Sequence, residues 1–183
     1  MEDILSIPVQ KNIELVSVKI RRDLYTDYTV NHPEDVIPII GELIGDSDRE
    51  HIVILNCTAR NRVINYSISA TGYATGAYVS PVDMLRTTVL SGASVFFMAH
   101  NHPSGFCSPS EEDNVSTSRM AACAKLLNLN MMDHIILGGS SGPLFSYMAS
   151  NPELLNPDIK IMPGIAAPVS EYGLRELTTD LVL

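Results

Sequence analysis

Lysine and arginine are scarce in this chain. Only 12 stand against 21 aspartates and glutamates, which leaves a formal net charge of −9. Such a surface is repelled by phosphate, so direct nucleic-acid binding is not expected. The basic residues that do cluster, Lys19 with Arg21 and Arg22, and Arg60 with Arg62, read as solvated surface. Cysteine is also sparse. Cys57, Cys107 and Cys123 are an odd count without paired spacing, which argues against a disulfide framework and for a reducing setting. No apolar run reaches the length of a membrane span; the longest, TTVLSGASVFFMA, is broken by Ser91, Gly92 and Ser94. The opening MEDILSIPVQ lacks the pattern of a signal peptide. A cytoplasmic protein without a membrane anchor is the resulting expectation. There is no internal repeat and no low-complexity segment. Hydrophobic residues at 45% against 18% charged argue against disorder, and 183 residues suit one domain with a real core.

Along the chain, helical and extended patterns alternate. Val16, Val18 and Ile20 alternate with polar neighbours and predict an extended segment over residues 15–30. NHPEDVIPIIGELIG predicts a helix with Pro33 at its first position and Val36, Ile39, Ile40 and Leu43 on one face, kinked or delayed by Pro38. HIVILNC and VINYSISATG, joined by TARNR, predict a hairpin of two strands. SPVDMLRTTVLSG predicts a helix capped by Ser80, with Pro81 at its first position, Asp83 reaching back and Gly92 ending it. SVFFMA and LNMMDHIILGG predict buried strands flanking a helix from Ser110 to about Leu127, and PLFSYM a further short element. From Asn151, four prolines punctuate a stretch without clear period. It reads as a tail, residues 151–183, packed on the surface or exchanged between subunits, with a short helix at EYGLRELTTDLVL. The expected organisation is a domain over residues 1–150 followed by this tail, in an α/β sandwich with a mixed sheet.

The segment that carries chemistry is HNHPSGFCSPSEED, residues 100–113. Residues two apart in a strand share a side, so His100 and His102 aim into one cleft at the end of SVFFMA. The loop held by Pro103, Gly105 and Pro109 is short enough to bring Asp113, in the first turn of the next helix, back to the two imidazoles. Two neutral imidazoles and one carboxylate suit zinc, and three protein ligands leave a fourth position for water. Ser110 and Asp113 are equally an ordinary capping pair, S-x-x-D, and His102 before Pro103 is equally a plain loop residue. Taken together, H-x-H, seven residues and S-x-x-D after an apolar strand is a composite pattern that chance rarely assembles.

HNHPSG…PSEED followed by LLNLNMMDHIILG resembles the RadC family of JAB/MPN domains, which carry the JAMM metalloprotease motif: a glutamate, then H-x-H, seven residues and S-x-x-D. The resemblance covers roughly residues 30–148, with SDREHIVILNC, SPVDML and DHIILG at comparable places. It implies a JAB/MPN (cytidine-deaminase-like) mixed sheet sandwiched by helices, and zinc on His100, His102 and Asp113. It also implies hydrolysis of a peptide or isopeptide bond in a peptide or protein substrate. The family's glutamate precedes the first core strand, which maps the general base to Glu50, with Glu42 a weaker competitor and His51 a strand-start residue. Ser110 takes the role of hydrogen-bond donor to the developing oxyanion. Family members usually carry an N-terminal helix-hairpin-helix region. No such pattern precedes Glu50, so a stand-alone catalytic domain is expected. Cys107 stands in the loop where an acidic or polar residue is more usual, and reads as a small residue pointing away.

Rival chemistries fit less well. A nucleobase deaminase needs H-x-E with a paired-cysteine motif, and no H-E-x-x-H string is present. The rival of another class is a JAB/MPN scaffold that binds a partner and cleaves nothing; a DNA-repair or mobile-element role rests on family analogy alone. Scaffold members typically lose ligand residues, and this chain retains them. Homo-oligomerisation through the tail is left open by the sequence.

Overall fold

The computed structural model describes residues 28–72 and 80–159. Most of the extended segment expected over residues 15–30, and the C-terminal helix expected after residue 170, lie outside the described residues. At its described end the first of these is tied to the domain: Thr29 bridges Arg62, with Val63 N–H donating to Tyr28 O at 2.9 Å.

Five strands form one mixed sheet. They are β1 (His51–Cys57), β2 (Val63–Thr71), β3 (Val95–Asn101), β4 (Asn130–Leu137) and β5 (Leu144–Ser146), in the order β2-β1-β3-β4-β5. β1 runs antiparallel to both β2 and β3, β3 and β4 are parallel, and β5 returns antiparallel to β4. Parallel neighbours need a crossover, supplied by α2 (Glu111–Leu126); α1 (Pro81–Leu90) lies between β2 and β3 in sequence. All seven residues of β3 are buried, as a central strand covered on both faces requires.

Strand alternation sorts the core into two layers. Val53, Leu55, Cys57, Phe97, Ala99, Ile135 and Leu137 face the opening helical segment. Ile54, Phe96, Met98 and Met131 face α1 and α2, where Met84, Leu85, Met120, Ala121 and Ala124 meet them. The expected α/β class, a mixed sheet between helices, is the observed architecture. The parity has a consequence for the site: continuing Phe96 and Met98 by steps of two carries His100 to the α2 side of the sheet.

Two local expectations are corrected. The opening segment is not a kinked α-helix but a 3₁₀ turn, Pro33–Val36, running into a π-helix, Ile37–Gly45. Pro38 has no N–H for an i→i−4 bond, so the regular ladder cannot pass through it. Val36, Ile40 and Ile44, four apart, are the buried side chains, while Ile39 and Leu43 are only partly covered. The widened winding also seats Gly45 against the backbone of Ser140, where any Cβ would collide. In α1 the Ser80 side chain makes no cap and Asp83 does not reach back. The first turn closes through backbone, Asp83 N–H to Ser80 O at 3.0 Å, and the Asp83 carboxylate pairs with Arg86 instead.

After β5 the chain forms two short turns of helix, α3 (Tyr147–Ser150) and α4 (Pro152–Leu155). Leu155 packs on the α1/α2 core, and Lys125 Nζ donates to Asn156 Oδ1 at 2.9 Å and Pro157 O at 3.1 Å. No helix among the described residues is long and apolar enough to cross a membrane.

Candidate metal centre

β3 ends at His100-Asn101, with His102 next in the chain, and α2 begins two residues before Asp113. The return loop rests on the turn after β4. A Cβ on Gly138 would strike the Gly105 carbonyl, so glycine there lets the two backbones touch and brings the loop back over the strand end. His102 N–H donates to Leu137 O at 2.9 Å, extending the ladder one residue beyond β3. Ser110 then starts α2 with a full capping box. Its Oγ accepts from Asp113 N–H at 3.1 Å, and Asp113 Oδ2 accepts from Ser110 N–H at 2.8 Å. A box of this kind contributes about 1 kcal/mol to the helix start and holds Asp113 in one orientation.

These elements bring His100, His102 and Asp113 together, with one ligand atom of each inside 4.8 Å of the others. His100 Nε2 lies 3.0 Å from His102 Nε2 and 3.2 Å from Asp113 Oδ1; His102 Nε2 lies 3.6 Å from Asp113 Oδ2. The other nitrogen of each ring is already committed. His102 Nδ1 is 2.8 Å from the Phe106 carbonyl, which can only accept, so Nδ1 carries the proton. His100 Nδ1 is 2.8 Å from His134 Nε2. On the far side of that ring, His134 Nδ1 is 2.6 Å from Thr117 Oγ1, whose own proton goes to the Asp113 carbonyl at 2.6 Å. Thr117 must therefore accept from His134 Nδ1–H, and His134 Nε2 must accept from His100 Nδ1–H. Both site histidines then present bare Nε2 lone pairs to each other and to a carboxylate. Three electron-rich atoms at such distances repel unless a cation lies among them, either a proton or a metal ion.

The electrostatics agree. His102 is raised above the usual imidazole value, chiefly by its hydrogen bond to Asp113, against burial; the charges of Asp113 and Glu50 add to the rise. Burial would raise the Asp113 carboxyl, but hydrogen bonds to His100 and His102 outweigh it and hold the group far below the carboxylate range. His134 is held well below the imidazole value, first by burial and then by its neighbour His100, and stays neutral.

Glu50 is half-buried at the foot of β1 and is not one of the ligand group. β1 pairs with β3 through Ile52↔His100; two residues further out, that register sets Glu50 across from His102 on the same parity. The backbone around Glu50 is pinned. Asn101, fully buried between the histidines, accepts from His51 N–H at 2.8 Å and donates Nδ2–H to Arg49 O at 2.9 Å. Gly72 N–H donates to Glu50 O at 2.7 Å. One carboxamide thus holds both peptide units that flank Glu50. His51 is engaged elsewhere, by Ser47 Oγ at 2.8 Å and Thr71 Oγ1 at 3.1 Å, and lies outside the His100-His102-Asp113 group. Glu42 is exposed and Cys107 lies outside the ligand group. Ser110 Oγ gives its proton to Asp113 Oδ2 at 2.7 Å, so its hydroxyl serves the helix cap here.

Asn101, His134 and Thr117 lie outside the residues that the sequence motif marks. The signal for Thr117 was present, since it sits one helical turn after Asp113. That for His134 was weaker. It needed the parallel pairing Met98↔His134, which sets His134 one step short of His100 on the α2 side of the sheet.

Fold and site together define an α/β domain with a His-His-Asp group able to hold a metal ion. Residues 30–152 match the model of the RadC-like JAB domain family, and the chain belongs to that family. It is 38% identical over 107 residues to the UPF0758 protein of Carboxydothermus hydrogenoformans, covering 58% of this chain and 47% of the relative. It is 32% identical over 113 residues to the UPF0758 protein of Desulforamulus reducens (62% and 50%) and 31% over 109 residues to that of Rubrobacter xylanophilus (60% and 48%). The match thus spans about half the length of these relatives.

Proposed function

We propose that the protein is a zinc-dependent hydrolase of peptide or isopeptide bonds, with His100, His102 and Asp113 as the metal-holding residues. The observation that carries this reading is the hydrogen-bond directionality: the partners of both histidines turn their Nε2 lone pairs toward one carboxylate, a donor set suited to zinc. Zinc bound there would polarise a scissile carbonyl and bring the pKa of water to about 7.

The chain's own groups supply the rest. Glu50 is the general base: its carboxylate takes a proton from the attacking water and passes it to the leaving nitrogen. Asn101 holds the Arg49 and His51 peptide units, so that this carboxylate stays on the His102 side of the cleft. The Ser110 hydroxyl, turned from Asp113 to the substrate, donates to the developing oxyanion. The substrate is a peptide or protein, and the acidic net charge supports a non-nucleic-acid role.

Hydrolysis of peptide and lysine-linked isopeptide substrates, measured after chelation and after zinc return, tests the proposal. Activity should vanish with the metal and come back with it; hydrolysis that survives complete chelation would contradict it. The pH dependence of reconstitution has a determined sign. In the metal-free site His102 holds its proton above the ordinary imidazole value, and zinc must displace it. Zinc affinity should therefore be full above that raised value and fall by about tenfold per pH unit below it.

A further inference from the structure

Resting on the metal-site reading, we infer that His134 and Thr117 are positioning residues that select the metal-binding tautomer of His100. Three hydrogen bonds run in one direction: His100 Nδ1–H to His134 Nε2, His134 Nδ1–H to Thr117 Oγ1, and Thr117 Oγ1–H to the backbone carbonyl of Asp113. The chain starts at one proposed ligand and ends on the peptide of another. Its direction is fixed at the far end, because a carbonyl has no proton to give back. For the same reason the chain is a dead end for protons. His134 is thereby an orienting group and not a shuttle between the cleft and solvent.

The ring of His134 has little freedom to respond differently. It is buried, and it stacks on Tyr147 with centroids 5.0 Å apart and planes 4° from parallel. Tyr147 is itself buried, and its hydroxyl donates to Asn114 Oδ1 at 2.9 Å, on α2 next to Asp113. A flipped His134 would face His100 with the wrong atom and leave a buried polar group unpaired. Reversing the chain would take the Thr117 proton away from the Asp113 carbonyl; in the arrangement that keeps all three bonds, His100 shows Nε2 to the cleft. The same three bonds tie the start of α2 to β4, so ligand identity and ligand spacing are set by one network. Metal-holding histidines generally hand their second N–H to a carboxylate, carbonyl or water. Here the acceptor is a neutral imidazole, which is orientation-sensitive because only one of its two nitrogens can accept.

The test has two arms on the full chain. In metal-free wild type at about pH 8.5, long-range nitrogen-15 NMR should show His100 protonated at Nδ1 and bare at Nε2. In Thr117→Val, which keeps the shape of threonine but removes the hydroxyl, and in His134→Leu, that preference should be lost. Zinc competition titration is the second arm. Thr117→Val and His134→Leu should bind about 10- to 100-fold more weakly. Thr117→Ser, which restores the chain, and His134→Gln, which restores an acceptor, should each recover most of the loss. Wild-type His100 protonated at Nε2, or variants that bind zinc as the wild type does, would overturn the inference. So would Thr117→Ser as weak as Thr117→Val, which would mark a packing effect. A wild type with the expected tautomer that takes up no zinc would instead overturn the metal-site reading, and the ligand role of this chain with it.

Discussion

Replacing Glu50 by glutamine is expected to leave zinc bound and the fold intact while lowering turnover at least about a hundredfold, the low end of a general base's contribution. Glutamine keeps the length and planarity of the side chain but has no basic oxygen. The backbone bonds that pin this position, from Asn101 and Gly72, do not involve the side chain and survive the change. Glu50 is not among the ligand group, so metal content should not move. Its charge does help to raise His102, so the variant should take up zinc at slightly lower pH than the wild type. Single-turnover hydrolysis with metal content measured on the same sample checks this. Unchanged turnover with full zinc would remove Glu50 as the base and favour a scaffold that binds without cleaving.

Asp113→Asn is expected to abolish zinc binding with little loss of structure. Asparagine retains an oxygen able to accept from Ser110 N–H and Oγ–H, so the start of α2 stays capped. What disappears is the charge that sits 3.2 Å from His100 Nε2 and holds the His102 proton. The loss of affinity should exceed the 10- to 100-fold that follows from losing a supporting partner. His102 should also fall back toward the ordinary imidazole value, visible by NMR in the metal-free protein. Thermal unfolding and zinc titration of this variant give both readings. Near wild-type affinity would exclude Asp113 as a ligand.

How far the site was legible in the sequence follows from the range of each interaction. Ser110 and Asp113 are three residues apart on one helix turn, so the box could be read from spacing alone, as could the shared side of His100 and His102. The β1–β2 hairpin was legible because HIVILNC and VINYSISATG are apolar runs about a turn apart. In the opening segment the residues leave the winding open. Pro38 rules out a regular α-helical ladder without saying whether a kink or a wider spiral replaces it, and the choice is made by Val36, Ile40 and Ile44 fitting the sheet. Asn101 and His134 act across strands. Their roles depend on the registers 52↔100 and 98↔134, and nothing local in HNH or DHIILG specifies those.

His100, His102 and Asp113 are proposed to form a metal centre. Elemental analysis of the full chain, loaded with zinc and freed of excess metal, tests it most directly when run beside His102→Ala. The wild type should hold about one zinc per chain and the variant close to none. Equal zinc in the two proteins, or a wild type that retains none after loading, would contradict it.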